Sequence, residues 1–374
     1  MKSSKQVLPP RKTHDDGGIM LMLLIFILAG AFSAIAGKIG CVDSVVNLTL
    51  SILPSNFILV GLFIAACTVS LSIGTSCGTI AALTPIAAGI ASSTSSSTPL
   101  FTAAIVGGSL FGDNMSFISD TTIMATKTQG CLMSDKFKAN IGIALPAAIT
   151  TILLYTFLGN GVESHTTALS DFSAIHTLPY LLVFVLALTG LNVIWVLTLG
   201  ILSASLIGIL WENMPMADIW LSAQDGIMGM HDLIIITIIA AVFMNYLRRR
   251  GAIEWIIGQM GKLVSTRRGA ELSIAGAVVA TDMLTANNTI AILAVGPVAR
   301  SISYSYGIEP RRAASILDTM SCFAQGIIPW GAQLLIASGL ASINPLDIMP
   351  HLYYPYVLGI ITLTYIIAHR NKKH

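Results

Sequence analysis

Residues 74–83 read GTSCGTIAAL, and residues 286–293 read ANNTIAIL. Each is a polar, turn-prone break that opens onto the same apolar phrase, TIAAL at 79–83 and TIAIL at 289–293. Further along, each half carries a second echo, DNMS at Asp113–Ser116 and DTMS at Asp318–Ser321. The chain therefore reads as an internal repeat, with an aspartate set into apolar sequence in both copies. A charge near the centre of a membrane helix costs roughly 2.5–3.5 kcal/mol on insertion scales, so repeated placement implies a use. Interrupted hydrophobic segments in corresponding positions of two halves are the pattern of a secondary transporter, with the site where the breaks meet.

Composition bounds the class. The 374 residues are 54% hydrophobic and 10% charged, with mean hydropathy +0.80, whereas soluble domains carry about 25% charged residues. The expected fold is an all-α polytopic membrane protein: inverted-topology repeats with re-entrant hairpins and broken transmembrane helices. Ile19–Ala36, Phe57–Ile73, Ala139–Leu158, Val193–Leu210, Leu233–Leu247 and Leu352–Ala368 each suit a helix through a ~30 Å hydrocarbon core. The alternation of a membrane β-barrel is absent. The cysteines at 41, 67, 77, 131 and 322 have no metal-site or disulfide spacing. No phosphate-binding loop occurs, and the histidines fall in loops, at helix ends or at the termini, so neither ATP drive nor intramembrane hydrolysis is supported. The chain is expected not to be an enzyme and to need no cofactor beyond transported ions. Its net charge of +2 carries no nucleic-acid signal.

The basic residues predict a topology. With the N-terminus cytoplasmic, helix 19–36 exits, segment 57–91 dips in and returns at a break in 74–79, and 100–127 crosses inward, interrupted near 112–120. Helix 139–158 exits. Two crossings, 178–191 and 193–211, follow, then a loop with Glu212, Asp218 and Asp225, and helix 233–247 returns to the arginines at 248–250. Segment 271–300 forms a second hairpin broken at 286–289, 311–340 exits through a break at 326–331, and the last helix returns. All basic residues except Lys38 then face the cytoplasm, including Lys127, Lys136 and Lys138. The two hairpins open in opposite directions, so the halves are inverted. The organisation is a cytoplasmic tail at 1–18, a first repeat at 19–160, an external loop at 161–177, a second repeat at 178–369 and a cytoplasmic tail at 370–374. KIGCVDSVV (38–46) aligns with RRGAIEWII (249–257), and nothing before residue 19 matches the helix pair 178–211, so the first repeat is expected to be about two helices short.

The candidate ion and proton ligands cluster at the breaks. In GDNMSFISDTT (112–122), Asp113 and Asp120 stand among Asn114, Ser116, Ser119 and Thr121. Carboxylate, hydroxyl, amide and backbone oxygens are the hard donors that Na+ takes. In the second half Asp318 is expected to occupy the position of Asp113, with Ser321 nearby; the competing structural reading has Asp318 bracing Asn287 or Asn288. The hairpin tips offer Thr75, Ser76 and Thr79 in one half and Asn287, Asn288 and Thr289 in the other. Na+ is expected at Asp113, Asp120 and Asp318. Asp282, near the second tip, reads as local structure, as Lys127 reads as a topology anchor. Short GxxxG-like spacings read as packing contacts.

The run GTSCGTIAALTPIA, followed by GGSLFGDNMSFISDTTIMATKTQG and later by TANNTIAI and GPVAR, resembles the NhaC family of Na+/H+ antiporters, within the ion transporter superfamily. The resemblance covers nearly the whole chain. It implies an antiporter of the cytoplasmic (inner) membrane, moving Na+ and H+ through an elevator-like inverted-repeat fold surrounded by lipid. It gives the ion-site role to Asp113, Ser116, Ser119, Asp120 and Thr121, and to Asn287, Asn288, Thr289 and Asp318. Family members carry additional helices before the one at 19–36. In such folds the leading helices form the scaffold or a dimer contact, which allows a homodimer. Two other functions compete: Na+- or H+-coupled exchange of small organic anions or amino acids, and an inactive scaffold subunit.

Overall fold

The computed structural model describes residues 16–52, 54, 57–116, 119–159, 173–189, 191–260 and 266–368, which form helices and no strands. The expected tails, apart from residues 16–18, and most of the expected external loop lie outside these residues. The first set of helices is α1 (Asp16–Lys38), α2 (Cys41–Ile52), α3 (Ile58–Ile73), α4 (Ser76–Ser93), α5 (Thr98–Met115), α6 (Asp120–Gln129) and α7 (Met133–Gly159). Three helices follow, α8 (Ala174–Leu188), α9 (Val193–Leu210) and α10 (Met216–Gly229). The second set is α11 (His231–Arg249), α12 (Ala252–Met260), α13 (Arg267–Thr285), α14 (Asn288–Ser305), α15 (Pro310–Ile327), α16 (Ala332–Ala341), α17 (Pro345–Ile348) and α18 (Tyr353–Ala368).

All four expected breaks are present. The run ILVGLFIAACTVSLSI makes α3, and Gly74 stops it in the left-handed conformation (φ 75°), its N–H donating to Ser70 O. The matching stop after α13 is Ala286, at φ 50° with its N–H on Asp282 O. Proline in the first turn starts both α5 and α15, where its missing N–H is harmless. The second break in each half separates α5 from α6 and α15 from α16.

The two halves superpose in chain order with one fixed offset. α4, α5 and α6 begin and end 212 residues before α14, α15 and α16, from 76 and 288 to 129 and 341. Pro85 and Pro297 fall in the same register. This corrects the equivalence drawn from the echoed letters. TIAAL starts at the fourth residue of α4 but TIAIL at the second of α14. Asp113 is third from the end of α5, and the residue third from the end of α15 is Gln325, not Asp318. Short runs of Thr, Ile and Ala recur by composition in any apolar helix. Register is set by where a helix has to stop.

Apolar side chains are exposed on the outside, and several polar and charged side chains are buried within an otherwise apolar core. Ile141, Leu145, Ile149, Leu153 and Phe157 form an exposed i, i+4 stripe along α7, while Asp113, Lys136, Asn140, Asp282, Asp318 and Gln325 are buried. Among the described residues, Ser76–Ser93, Met133–Leu158 and Pro310–Ala341 are long and apolar enough to cross a membrane, as is the bent pair Pro345–His351 and Tyr353–Ala368 taken as one span. The chain is an integral membrane protein. Close helix approach is made at glycines: a Cβ on Gly108 or Gly112 of α5 would collide with Phe63 O or Ser70 of α3.

Two further features depart from expectation. The segment after Trp211 is not simply a loop, because α10 lies along α1 with Gly226 and Gly30 backbone to backbone. The halves also interlock: α6 packs on α14 and α15, and α16 packs on α4. Gln129 Nε2 donates to Gly296 O at 2.9 Å, and Gly296 leaves no room for a Cβ beside Thr128.

Candidate functional site

Both hairpin apices and the first helix break meet around one cavity of about 180 Å³. Thr75 and Ser76 line it from the first hairpin, Asn287, Asn288 and Thr289 from the second, and Asp113, Ser119, Asp120 and Thr121 from the α5–α6 break. Gln333 of α16 completes the wall. Nine of the fourteen residues singled out in the sequence therefore share one space. Thr79, Asn114, Ser116, Asp318 and Ser321 do not line it.

Asp113 is buried and held by the start of α4. Ser76 donates its backbone N–H to Oδ1 at 3.1 Å and its hydroxyl to Oδ2 at 2.6 Å. The free N–H groups of a helix N-terminus suit an anion. Gln333 Nε2 donates to Ser76 Oγ at 3.1 Å. A chain of donors thus runs from α16 of the second half, through the first hairpin tip, to the carboxylate. Asp120, the first residue of α6, is exposed to the cavity. Ser119 and Thr121 share a 2.7 Å hydroxyl contact behind it. On the opposite wall Asn287 caps α14 by accepting from Ile290 N at 3.1 Å.

Asp318 has a different environment. It is fully buried, and Lys136 of α7 places Nζ 2.9 Å from its Oδ2, where Asn140 also donates at 2.7 Å. It braces neither Asn287 nor Asn288. The same ammonium donates to Asn114 O at 2.8 Å and Thr122 Oγ1 at 2.6 Å, so its three protons have three acceptors. Lys136, which the sequence offers only as a cytoplasmic topology residue, is 1% exposed and pins the α5–α6 break to α15. Lys127 is exposed.

The remaining candidates make hydrogen bonds within the helix framework. Asn114 Nδ2 donates to Leu110 O and Tyr354 Oη, Ser116 Oγ to Leu71 O, Thr79 Oγ1 to Thr75 O, and Ser321 Oγ to Asp318 O. Asp282 is buried on α13 with Gln325 Nε2 donating to its Oδ1 at 2.8 Å. Sequence reasoning missed Lys136, Asn140 and Gln333 as site residues, whereas Thr122 reads in sequence as one of the oxygens around Asp113. The first two left a signal: Lys136 and Asn140 are an i, i+4 polar pair entering an apolar helix on one face, a spacing that Lys138 lacks.

Comparison with known proteins supplies the family. The model of the Na+/H+ antiporter family matches residues 12–160 and 163–369. The chain is 21% identical to the Na(+)/H(+) antiporter NhaC of Bacillus subtilis (strain 168), over 92% of this chain and 82% of that one. It is 21% identical to the malate-2H(+)/Na(+)-lactate antiporter of the same organism, over 92% and 80%. It is 22% identical to the arginine/ornithine antiporter ArcD of Halobacterium salinarum, over 79% and 67%.

Proposed function

Because the chain belongs to the Na+/H+ antiporter family, we propose that it exchanges Na+ for protons at the cavity lined by Asp113 and Asp120. The observation that carries this reading is the meeting of two carboxylates with both hairpin apices around one space. Asp120, Ser119, Thr121, Thr75 and Thr289 would offer oxygens to a partly dehydrated Na+.

Coupling follows from competition for the same charge. A proton on either carboxylate removes the negative charge that holds Na+, so the two ions take turns. Asp113 adds a mechanical consequence. Its Oδ2 accepts the Ser76 hydroxyl proton, and once Oδ2 is itself protonated that hydroxyl has to turn. The first hairpin tip and, through Gln333, α16 would register the change. Asp318, already answered by Lys136, would serve as a fixed internal pair rather than as a Na+ ligand. The same reading puts the protein in the cytoplasmic membrane with both chain ends cytoplasmic and lipid against the α7 stripe, and it allows a homodimer.

A second reading keeps the antiport and changes the cargo. A cavity of about 180 Å³ has room for several waters, each needing roughly 10–15 Å³ by this measure, and so for a small organic acid. The names of two relatives include organic substrates. The test is a proteoliposome assay in which a Na+ gradient is imposed, internal pH is read, and the measurement is repeated with candidate organic acids outside. Na+-driven proton movement abolished by D113N is expected; exchange retained in D113N would sink the assignment. Proton movement that requires an organic acid would select the second reading.

A further inference from the structure

The register of the repeat pairs Asp113 with Gln325 and Ser70 with Asp282. In the first half the carboxylate sits on the broken helix α5 and the small polar group on the hairpin arm α3. In the second half the arrangement is exchanged: the carboxylate, Asp282, is on the hairpin arm α13 and the amide, Gln325, on the broken helix α15. Asp113 and Asp282 are thus each a buried carboxylate between a hairpin and a broken helix, and of the two only Asp113 lines the cavity.

Asp282 is fully buried. Gln325 Nε2 donates to Oδ1 at 2.8 Å, while Asp282 Oδ2 and Gln325 Oε1 have no hydrogen-bond partner among the described residues. No basic side chain of α11, α12, α14, α15 or α18 pairs with it among the described residues. Cys322 of α15 is a titratable neighbour, and it also lies near Asp318, Asp113 and Lys136. An ionised carboxylate in a dry interior with a single neutral donor is strongly disfavoured. It holds either a proton or a cation, and Na+ requires a ring of oxygens that one carboxylate and one amide do not provide. Trp330 at the α15–α16 break donates its indole N–H to Met283 O at 3.2 Å, which ties the residue after Asp282 to that break.

We propose that Asp282 is a second proton-carrying site, seated between α13 and the α15–α16 break and separate from the shared cavity. Oδ2 takes up the proton while Oδ1 stays on Gln325, and the proton leaves when the break moves and water reaches the acid. The proposal rests on the exchange reading for its transport consequence but not for the protonation itself, so two measurements are needed. The first is infrared difference spectroscopy of purified protein between acid and alkaline pH. A protonated-carboxyl band that titrates in wild type and D113N and is missing from D282N is expected. An unchanged spectrum in D282N overturns the proposal, as does loss of the band on adding Na+ at constant pH in D113N, which would make Asp282 a cation seat. Should D282N fail to fold, Q325L, which removes the hydrogen bond on Oδ1, is expected to shift the same band to higher frequency; an unshifted band counts against the site. The second measurement is the ratio of imposed Na+ and proton gradients at which flux stops in proteoliposomes. D282N is expected to lower the protons moved per Na+ by one while exchange persists, and an unchanged ratio overturns the transport role. If wild type exchanges no Na+ for protons, the reading of the cavity fails and the infrared band still decides on Asp282.

Discussion

Asp113 faces a cavity and takes its hydrogen bonds from the tip of a hairpin; Asp318, which carries the same four-letter neighbourhood but for one residue, faces a lysine. The first is answered by neutral donors and remains available to a mobile cation. The second is answered by an ammonium that belongs to the protein. Two buried carboxylates of similar sequence are thereby given different surroundings, and the difference lies in Lys136 and Asn140 of α7.

The contrast is most easily broken at Lys136. Removing one partner of a buried pair costs about 3–5 kcal/mol, because the other charge is left uncompensated. K136A is therefore expected to lower thermal stability in detergent markedly, and K136M combined with D318N to recover most of it. A K136A protein as stable as wild type would mean that Asp318 is not ionised. The contrast is sharpened at Ser76. A hydrogen bond to a charged group is worth about 1.5–3 kcal/mol, so S76A is expected to shift the Na+ concentration for half-maximal exchange roughly tenfold or more. S116A, whose hydroxyl goes to Leu71 O instead, should leave it unmoved. At the second hairpin tip, N287A removes the cap on Ile290 N and should cost about 1 kcal/mol by thermal unfolding. The smallest effect is at the paired apices: Ala286 holds the left-handed conformation that Gly74 adopts freely, so A286G should stabilise by up to ~1 kcal/mol. A destabilised A286G would mean that the methyl group packs rather than strains.

The breaks were legible because Gly74, Ala286–Asn287, the Ser116–Ser119 region and Gly331 interrupt sequence that is otherwise uniformly apolar. The clustering of Asp113 and Asp120 with both hairpin tips followed from the breaks, since open helix ends and polar side chains need each other inside a membrane. The register did not follow. Echoed letters carry composition, and only the helix ends carry position, which is how Asp318 was aligned with Asp113. Lys136 was concealed for a related reason: a lysine at the start of a membrane helix is usually a topology marker, and its burial depends on α15, which no local pattern on α7 announces. α10 was hidden by Asp218 and Asp225, whose charges read as a loop although the helix that carries them packs on α1 through Gly226.

The interlock of α6 on α14 and of α16 on α4 bears on what a single repeat could do alone. Each hairpin is braced by the short helix of the other copy, and Gln129 fastens one such crossing to the backbone of Gly296. One repeat translated by itself would present a hairpin with its supporting helix missing and a short helix with nothing to support. Only a second copy, placed against it, completes both. The line where the two repeats join in the sequence is therefore not a line along which the molecule can be divided, and a piece that shifts during transport has to take elements from both.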